Sequence, residues 1–317
     1  MYKISILIPC YNCEKWIKQS IQSALDQSYL NKEIVVIDDG STDSSQEIIK
    51  SFEGKIKYEI RQHEGPNSIR NRLLEIAEGE WLQYLDADDY LLPNKVKDQI
   101  DCLYKAENAD VLYSPVIIEE FSNNKSKKYT LKINKNTDFI TNFISWGILQ
   151  TSGLLWKKDT LINIGRWKID QNVCQEHELI LRYIMAKKKF VLCNKANSVY
   201  RIHNGISISR INKKATIHER MKIIDQLEFF LRASCLLNKE NQSAINASRF
   251  GCARDVYSID KELANELISK IKSSDKDFIP YGVTAPLLYR FFYMNFGFNF
   301  AEYIAFLARK LKFKKKE

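Results

Sequence analysis

The sequence predicts an α/β protein with a Rossmann-like, mostly parallel sheet, helices on both faces of that sheet, and a smaller helical region after it. Strongly apolar runs at residues 4–9, 34–37 and 81–85 are typical of buried strands. The stretches between them space their apolar residues as helices do, and such alternation requires crossover connections that make the strands parallel. From about Lys213 onward, strand patterns end and only helical spacing continues.

The elements of the N-terminal half follow in order along the chain. Strands are predicted at residues 4–9, 34–37, 56–60 and 81–85. The helices between them each present one apolar face, formed by Trp16, Ile17, Ile21 and Leu25, by Ile48, Ile49 and Phe52, and by Ile69, Leu73 and Ile76. A further helix is predicted at residues 94–103, directly after Pro93, from the apolar positions Val96, Ile100 and Leu103.

The second half of the sequence begins with shorter elements. Short strands are predicted at residues 111–113, 129–131, 153–156, 190–192 and 198–200, and a helix at about 178–186. The polar stretch 122–128 is short enough to be a loop or a hairpin tip. Because helical spacing dominates after Lys213, we predict two domains, residues 1–211 and 212–317, with a boundary near Ile211.

Composition limits the class of protein. A chain of 317 residues with 45% apolar content can bury a sizeable core. The net charge of +9 comes largely from the C-terminal end, through Arg309, Lys310, Lys312, Lys314, Lys315 and Lys316. Seven scattered cysteines do not form a disulfide framework and suit a reducing compartment. The first residues show no secretory signal pattern, so we expect a cytoplasmic protein.

The last apolar stretch allows two interpretations. Polar residues interrupt it at Asn295, Gly297, Asn299 and Glu302, so a membrane-spanning helix is not expected. A stripe at helical spacing precedes the lysine-rich end and consists of Phe296, Phe300, Ile304, Leu307 and Leu311. Such a helix packs either on the protein core or on an anionic membrane surface, here the inner face of the plasma membrane.

Carboxylates crowd at the ends of two predicted strands. Asp86, Asp88 and Asp89 directly follow one strand, and Asp38 and Asp39 directly follow another. Ligands of parallel sheets bind outside the carboxyl ends of the strands, so these acids lie where a ligand would. Adjacent carboxylates repel each other unless several donors or a hard cation such as Mg²⁺ or Mn²⁺ neutralises them. The simpler alternative is turn and helix-cap chemistry.

Five segments, in this order, resemble the family 2 glycosyltransferases, which have the GT-A fold. They are IPCYN at 8–12, VIDDGSTD at 36–43, IRN at 69–71, LDADD at 85–89 and YRIHN at 200–204. The resemblance covers residues 3–209. It implies an inverting, metal-dependent transferase that moves a sugar from a nucleotide-diphosphate donor, expected to be UDP-linked, to a glycan or lipid-linked acceptor.

The resemblance also implies roles for individual residues. The nucleotide-sugar donor would be bound by Pro9, Tyr11, Asn12, Glu14, Asp39, Arg70, Asp86, Ala87 and Arg201. Within this set, Asp39 would accept the imide N–H of the base and Asp86 would hold the ribose or the donor sugar. Asp88 and His203 would bind the cofactor, Mn²⁺ or Mg²⁺, whereas Asp89 would cap the following turn.

An inverting transfer needs a carboxylate base for the acceptor hydroxyl. The alignment implied by the resemblance makes Glu176 that base, although the family has aspartate there and Glu178 is a rival. Acids in the first turn of a helix also favour the helix dipole, which is a purely structural explanation for both residues. The acceptor pocket implied by the family would contain Trp146, Thr151, Ser152 and Trp156.

Other functions have less support from the sequence. An aspartyl phosphotransferase would explain the spacing of Asp86 and Asp88, but that strand comes fourth in the chain. A nucleotide-sugar-binding module without catalytic activity is a further alternative, supported only by the atypical Gln175-Glu176 pair. Dinucleotide-binding and P-loop motifs are absent from the sequence, and no nucleic-acid-binding motif accompanies the basic end.

Overall fold

The computed structural model describes residues 1–106, 108–122, 125–131, 133–146, 150–203, 213–282 and 284–313. The chain divides into two compact units, Met1–Phe143 with Gly147–Ser207, and Ile144–Trp146 with Ile208–Glu317. The predicted domain boundary near Ile211 lies outside the described residues, so the domain limits remain a prediction.

In the residues that the structure describes, the first unit contains eleven strands. They are β1 Ile4–Cys10, β2 Lys32–Asp38, β3 Lys57–Ile60, β4 Trp81–Tyr84, β5 Tyr90–Leu91, β6 Val111–Tyr113, β7 Val116–Ser122, β8 Lys125–Leu131, β9 Leu154–Lys157, β10 Phe190–Leu192 and β11 Ser198–Ile202. The helices are α1 Ile17–Leu25, α2 Ser45–Lys50, α3 Pro66–Ile76, α4 Lys95–Leu103, α5 Phe139–Ile144, α6 Lys158–Asn163 and α7 Gln175–Met185, then α8 Lys213–Ala233, α9 Lys239–Val256, α10 Lys261–Ser274 and α11 Leu287–Phe313.

The large sheet has the strand order β10-β6-β9-β4-β1-β2-β3. Strand β1 lies at its centre and pairs in parallel with both β2 and β4, and only β9 runs antiparallel to its neighbours. Apolar side chains from β1, β2 and α1 form the core, which explains the continuous apolar runs in the sequence. The predicted mostly parallel α/β sheet is confirmed, and the acidic ends of β2 and β4 flank the end of β1.

A second sheet has the order β5-β11-β7-β8. Strand β11 pairs antiparallel with the two-residue strand β5, which begins directly after Asp89. This pairing returns the late segment around Arg201 and His203 to the acidic turn. The pairing could not be read from the sequence, because β5 is too short to show an alternating pattern.

Several boundaries differ from the predicted ones. The hairpin of β7 and β8 extends into the polar stretch 122–128, because an exposed strand needs no apolar alternation to pair. Helix α7 begins at Gln175, three residues before the predicted start, so Glu176 and Glu178 both lie in its first turn. Helices α5 and α6 were not predicted, since six residues are too few to establish a helical period.

The second unit consists of helices in its described part. Helices α8, α9 and α10 bury Leu227, Ile245, Ala253 and Ile271, and a buried Arg249 joins Asp225 and Glu228 by ion pairs. Helix α11 is interrupted at Gly297, whose φ of 81° is unfavourable for residues with a side chain. No helix in the described part of the chain is long and apolar enough to span a membrane.

Candidate active site

The turn after β4 brings Asp86 and Asp88 to the end of the sheet. The Leu85 N–H donates to Leu7 O at 2.9 Å, which continues the ladder with β1, and the Asp89 N–H closes the turn on Asp86 O at 3.0 Å. The Asp86 and Asp88 side chains keep 30% and 35% of their surface exposed. Burial raises the pKa of both carboxyls; repulsion from Glu176 adds to the shift at Asp86, and repulsion from Asp86 adds to it at Asp88.

Arg70 joins this turn to the candidate base. Its Nη2 lies 3.2 Å from Asp86 Oδ1 and 3.4 Å from Glu176 Oε1, and its Nη1 donates to Gln175 Oε1 at 2.6 Å. Although burial alone would lower the pKa of Arg70, the two carboxylates outweigh it and raise that pKa. Arg70 is therefore a buried cation in contact with two acids.

Glu176 and Glu178 have different surroundings. Thr151 Oγ1 donates to Glu176 Oε1 at 2.7 Å, which orients this carboxylate beside Asp86. Glu178 is buried and accepts hydrogen bonds from Arg182 Nε and Nη2 at 3.0 and 2.9 Å, and Lys168 pairs with the same carboxylate. Because Arg182 and Lys168 engage Glu178, whereas Glu176 shares its contact to Arg70 with Asp86, these contacts favour Glu176 as the base.

His203 lies at the acidic turn. Its Nε2 is 3.0 Å from Asp88 Oδ2, and its ring stacks on Trp16 with centroids 5.7 Å apart. These two predicted metal ligands are therefore in direct contact.

Arg201 and Asp89 differ from their expected roles. The Arg201 guanidinium is buried between the rings of Trp16 and Tyr90, and its Nη1 donates to Asp88 O at 2.8 Å, so it supports the turn instead of reaching toward the donor. Asp89 does not cap the next turn, because its Oδ1 accepts the Arg201 backbone N–H at 2.9 Å across the small sheet.

The acids after β2 are held by backbone amides. Asp39 Oδ1 accepts the Glu64 N–H at 2.7 Å, and Oδ2 accepts the Gly65 N–H at 3.0 Å. His63 Nδ1 lies 2.9 Å from Asp39 Oδ2, and its ring stacks on Tyr11 with centroids 4.3 Å apart. Tyr11, His63 and Asp39 thus form one cluster at which a planar base could stack.

Asn12 and Glu14 connect the ends of β1 and β2. Asn12 Oδ1 accepts the Thr42 N–H at 2.8 Å, and Glu14 Oε2 accepts the Ser44 N–H at 2.9 Å. Pro9 precedes them at the end of β1 and is half-buried, whereas Ala87 is buried in the core. Asn12 and Glu14 therefore shape the loop that carries Tyr11.

The thiol of Cys13 lies among acids from both turns. Burial raises the pKa of Cys13, and the carboxylates of Asp88, Asp43 and Asp86 raise it further. Carboxylates from the ends of β2 and β4 therefore converge on the loop after β1, as expected for a shared cleft.

The acceptor residues expected from the sequence differ in their surroundings. Thr151 contacts Glu176, as described above. Ser152 and Trp156 are wholly buried, the latter packed on Trp167 and Tyr183, so neither can meet an acceptor in this structure. Trp146 belongs to the second unit, where Arg220 lies 4.7 Å from the centre of its ring.

A divalent cation fits the acidic turn. Within the described residues no three His, Cys, Asp or Glu side chains are arranged as a preformed metal site. However, Mg²⁺ is commonly bound by one or two carboxylates together with substrate phosphates. Half-exposed Asp88, with a raised pKa and a histidine on one oxygen, supplies such a ligand.

Several contributing residues could not have been identified from the sequence. His63, Trp16 and Gln175 carry no motif of their own, and each acts through a partner distant in sequence. Among these three, the sequence gives a hint of function only for His63, which lies shortly before the IRN segment in a loop that follows a strand.

A family comparison agrees with this geometry. The profile described as "Glycosyl transferase family 2" matches residues 5–164, about half of the chain. The chain belongs to glycosyl transferase family 2. The resemblance inferred from the ordered segments is confirmed, and it favours glycosyl transfer over the aspartyl phosphotransferase alternative.

Curated relatives match between about a third and two thirds of this chain. An uncharacterized glycosyltransferase of Rickettsia typhi is 39% identical over 109 residues, 34% of this chain and 34% of the relative. Glycosyltransferase GlyA of Streptococcus pneumoniae is 28% identical over 242 residues, 68% of this chain and 33% of GlyA. WfaP of Escherichia coli, a UDP-Glc:alpha-D-GlcNAc-diphosphoundecaprenol beta-1,3-glucosyltransferase, is 36% identical over 38% of this chain and 48% of WfaP. The chain thus spans a third to a half of these relatives.

Solved structures share the fold of this family 2 member. S. aureus TarS 1–349 in complex with UDP-GlcNAc superposes with a TM-score of 0.58 at 18% identity, covering 86% of this chain and 89% of TarS 1–349. The mannosyltransferase PcManGT of Pyrobaculum calidifontis, in complex with GDP-Man and Mn²⁺, gives a TM-score of 0.51 at 14% identity, covering 86% and 80%. At such identities the likeness concerns the fold, and the GT-A type fold is confirmed.

Proposed function

We propose that this protein is an inverting, metal-dependent glycosyltransferase that moves a sugar from a UDP-linked donor to a glycan or lipid-linked acceptor. The observation that supports it most is the pair of Asp86 and Glu176, which both contact Nη2 of Arg70, together with the contact between Asp88 and His203. The names of WfaP and of the TarS complex, which mention UDP-linked sugars, support the donor class, and the name of WfaP supports a lipid-linked acceptor.

In this proposal Glu176 removes the proton of the acceptor hydroxyl as that oxygen attacks the anomeric carbon. Thr151 donates to Oε1, and Arg70 approaches the same oxygen, so Oε2 is the oxygen that would take the proton. Arg70 and Thr151 together fix the direction of the carboxylate.

Donor binding is assigned to the two acidic turns. Tyr11 and His63 would stack on the base beside Asp39, while Asp86 would hold the ribose or donor sugar. Asp88 and His203 would hold Mn²⁺ or Mg²⁺, which when bound offsets the negative charge that develops on the leaving diphosphate.

The test compares Glu176→Gln with Glu178→Gln. We expect Glu176→Gln to reduce transfer by about a thousandfold while the affinity for the UDP-sugar stays nearly intact, since only the proton acceptor is lost. A panel of nucleotide sugars, with and without Mn²⁺, identifies the donor first. Near-normal turnover by Glu176→Gln would place the base elsewhere, and turnover unaffected by metal removal would refute the metal requirement.

We further propose peripheral contact of α11 with an anionic membrane. Of the predicted stripe, Phe296, Phe300 and Leu307 are exposed, whereas Phe298 and Ala301 on another face are buried. Leu287, Leu288, Phe291 and Met294 extend the exposed apolar surface before Gly297. Apolar side chains beside a lysine-rich end match the interface of a bilayer that carries negative charge.

Vesicle co-sedimentation tests this contact. We expect binding to vesicles that contain phosphatidylglycerol, weaker binding to neutral phosphatidylcholine vesicles, and loss of binding for Phe296→Glu/Phe300→Glu. Deletion of residues 309–317 should weaken binding and spare donor hydrolysis. Equal binding by the double variant, or concentration-dependent dimers instead of vesicle binding, would argue against a membrane partner.

A further inference from the structure

Lys95, in the first turn of α4, is a buried amine that the proposed reaction does not use. It is 1% exposed, and no carboxylate pairs with it in the described part of the structure. Its Nζ donates instead to Gln83 Oε1 and to Gln99 Oε1, both at 2.6 Å. Burial lowers the pKa of Lys95 from 10.5 to about 7. Burying an amino group costs free energy, and an apolar side chain would fill the same space without that cost. Packing alone therefore does not explain a lysine at this position.

The two glutamines connect Lys95 to the turn that precedes β9. Gln83 Nε2 donates to Ser152 O at 3.2 Å, and Gln99 Nε2 donates to Gly153 O at 3.1 Å. Ser114 Oγ donates to the same Gly153 carbonyl at 3.0 Å. The single-turn 3₁₀ helix Thr151–Gly153 is thus held by side-chain amides at two consecutive carbonyls.

The chemistry of an amine explains the direction of these bonds. Nζ of Lys95 donates to both glutamine oxygens, so both amide nitrogens point away from it. Those nitrogens are the groups that reach Ser152 O and Gly153 O. An apolar residue at position 95 would leave both amides free to rotate and would leave buried oxygens without a partner.

We propose that Lys95 is a positioning residue for Glu176: it orients Gln83 and Gln99, which fix the 3₁₀ turn, so that Thr151 holds the carboxylate. This inference rests on the proposed function, in which Glu176 is the base. The contact that completes the chain is the hydrogen bond from Thr151 Oγ1 to Glu176 Oε1 at 2.7 Å.

A double-mutant cycle on kcat tests the proposal, with Lys95→Met, Thr151→Val and the combined variant. We expect each single variant to lose about tenfold in kcat, with the donor KM unchanged within about twofold, because a misdirected base slows only the chemical step. The combined variant should lose little more than either single one, since both remove the same support. Ile100→Val, an apolar change on the same helix, is the control for general loosening of α4.

Independent, multiplicative losses in the combined variant would overturn the proposal, as would an equal loss in Ile100→Val. If Lys95→Met does not fold, Gln99→Leu replaces it in the same cycle, because it removes the amide that holds Gly153 O. Glu176→Gln distinguishes a failure of the Lys95 proposal from a failure of the assignment of Glu176 as the base. An inactive Glu176→Gln with an unaffected Lys95→Met refutes only the role of Lys95, whereas an active Glu176→Gln refutes the assignment of the base.

Discussion

The acidic turns after β2 and after β4 have similar sequences. Their surroundings, however, shift carboxyl pKa values in opposite directions. After β2, Asp39 accepts two backbone N–H groups, and Asp43 accepts those of Glu14 and Ser45 at 3.0 and 2.9 Å. Burial alone would raise the pKa of Asp43, but hydrogen bonds from the Ser45 side chain and from these backbone N–H groups outweigh it and hold that pKa below its ordinary value. After β4, burial and mutual repulsion raise the pKa of Asp86, Asp88 and Asp89.

The carboxylates after β2 are stabilised by hydrogen bonds within their own loop, whereas those after β4 would be stabilised further by a bound positive charge. After β2, backbone N–H groups donate hydrogen bonds to the carboxylates. These side chains therefore stabilise the loop whether or not a ligand is present. After β4, the carboxyls of Asp86, Asp88 and Asp89 crowd in one turn, and a bound cation would offset their charge. The same residue type therefore shapes a loop at one strand end and, in the proposed function, takes part in binding at the other.

The largest expected effect comes from neutralising one acid in each turn. Asp88→Asn should lower transfer by roughly a hundredfold or more, because it removes the proposed metal ligand, without lowering the melting temperature. Asp43→Asn should do the reverse, with near-normal transfer and a loss of about 1 kcal/mol in the free energy of unfolding. Transfer assays and thermal unfolding of both variants measure this contrast. A marked destabilisation by Asp88→Asn would break the comparison.

A smaller effect is expected at Asp39, which combines both functions. Asp39→Ala removes the acceptor of two backbone N–H groups, so we expect a loss of roughly 1–3 kcal/mol in unfolding free energy. Donor affinity, measured by calorimetry with UDP, should fall about tenfold because the base loses a charge-assisted partner. Asp39→Asn keeps one oxygen and serves as the matched variant with a milder loss. Unchanged UDP affinity in both would restrict Asp39 to the loop.

The last prediction concerns the contribution of Lys95 to stability; its Nζ donates to Gln83 of β4. Its folded-state pKa of about 7 is below its ordinary value of 10.5, so the unfolded chain binds more protons between these values. Stability should therefore rise with pH across this window, relative to Lys95→Met, by about 1.4 kcal/mol per pH unit at most. Cys193 is the titratable group beside Lys95, and burial raises the pKa of its thiol, so it stays neutral over most of this range.

Urea unfolding at pH 7.5, 8.5 and 9.5 measures this difference. Lys97→Met, at an exposed position of the same helix, controls for the loss of a lysine as such. Its unfolding free energy should vary with pH as that of the wild type does. If the unfolding free energies of all three proteins vary with pH in the same way, Lys95 is charged and well solvated.

Much of the site could be anticipated because strand direction is a local property. Once the apolar runs are recognised as parallel strands, the acids that follow them must meet at one edge of the sheet. The contacts of Arg201, Ser152 and Trp156 could not be anticipated, since a motif does not indicate which side of its backbone is buried. The two-residue strand β5 decides the position of Arg201, and its pattern is too short to be recognised.

The sequence by itself determined the alternation of strands and helices, the order of the motifs and the placement of acids at strand ends, because these depend on periodicity and on neighbours along the chain. Tertiary structure decided which acids are neutralised, why Glu176 and not Glu178 faces Asp86, and how Lys95 reaches the turn before β9. The physical reason is that the charge state and direction of a buried polar group depend on its partners in space. For Glu176 those partners are Arg70 and Thr151, which lie far from it in the sequence.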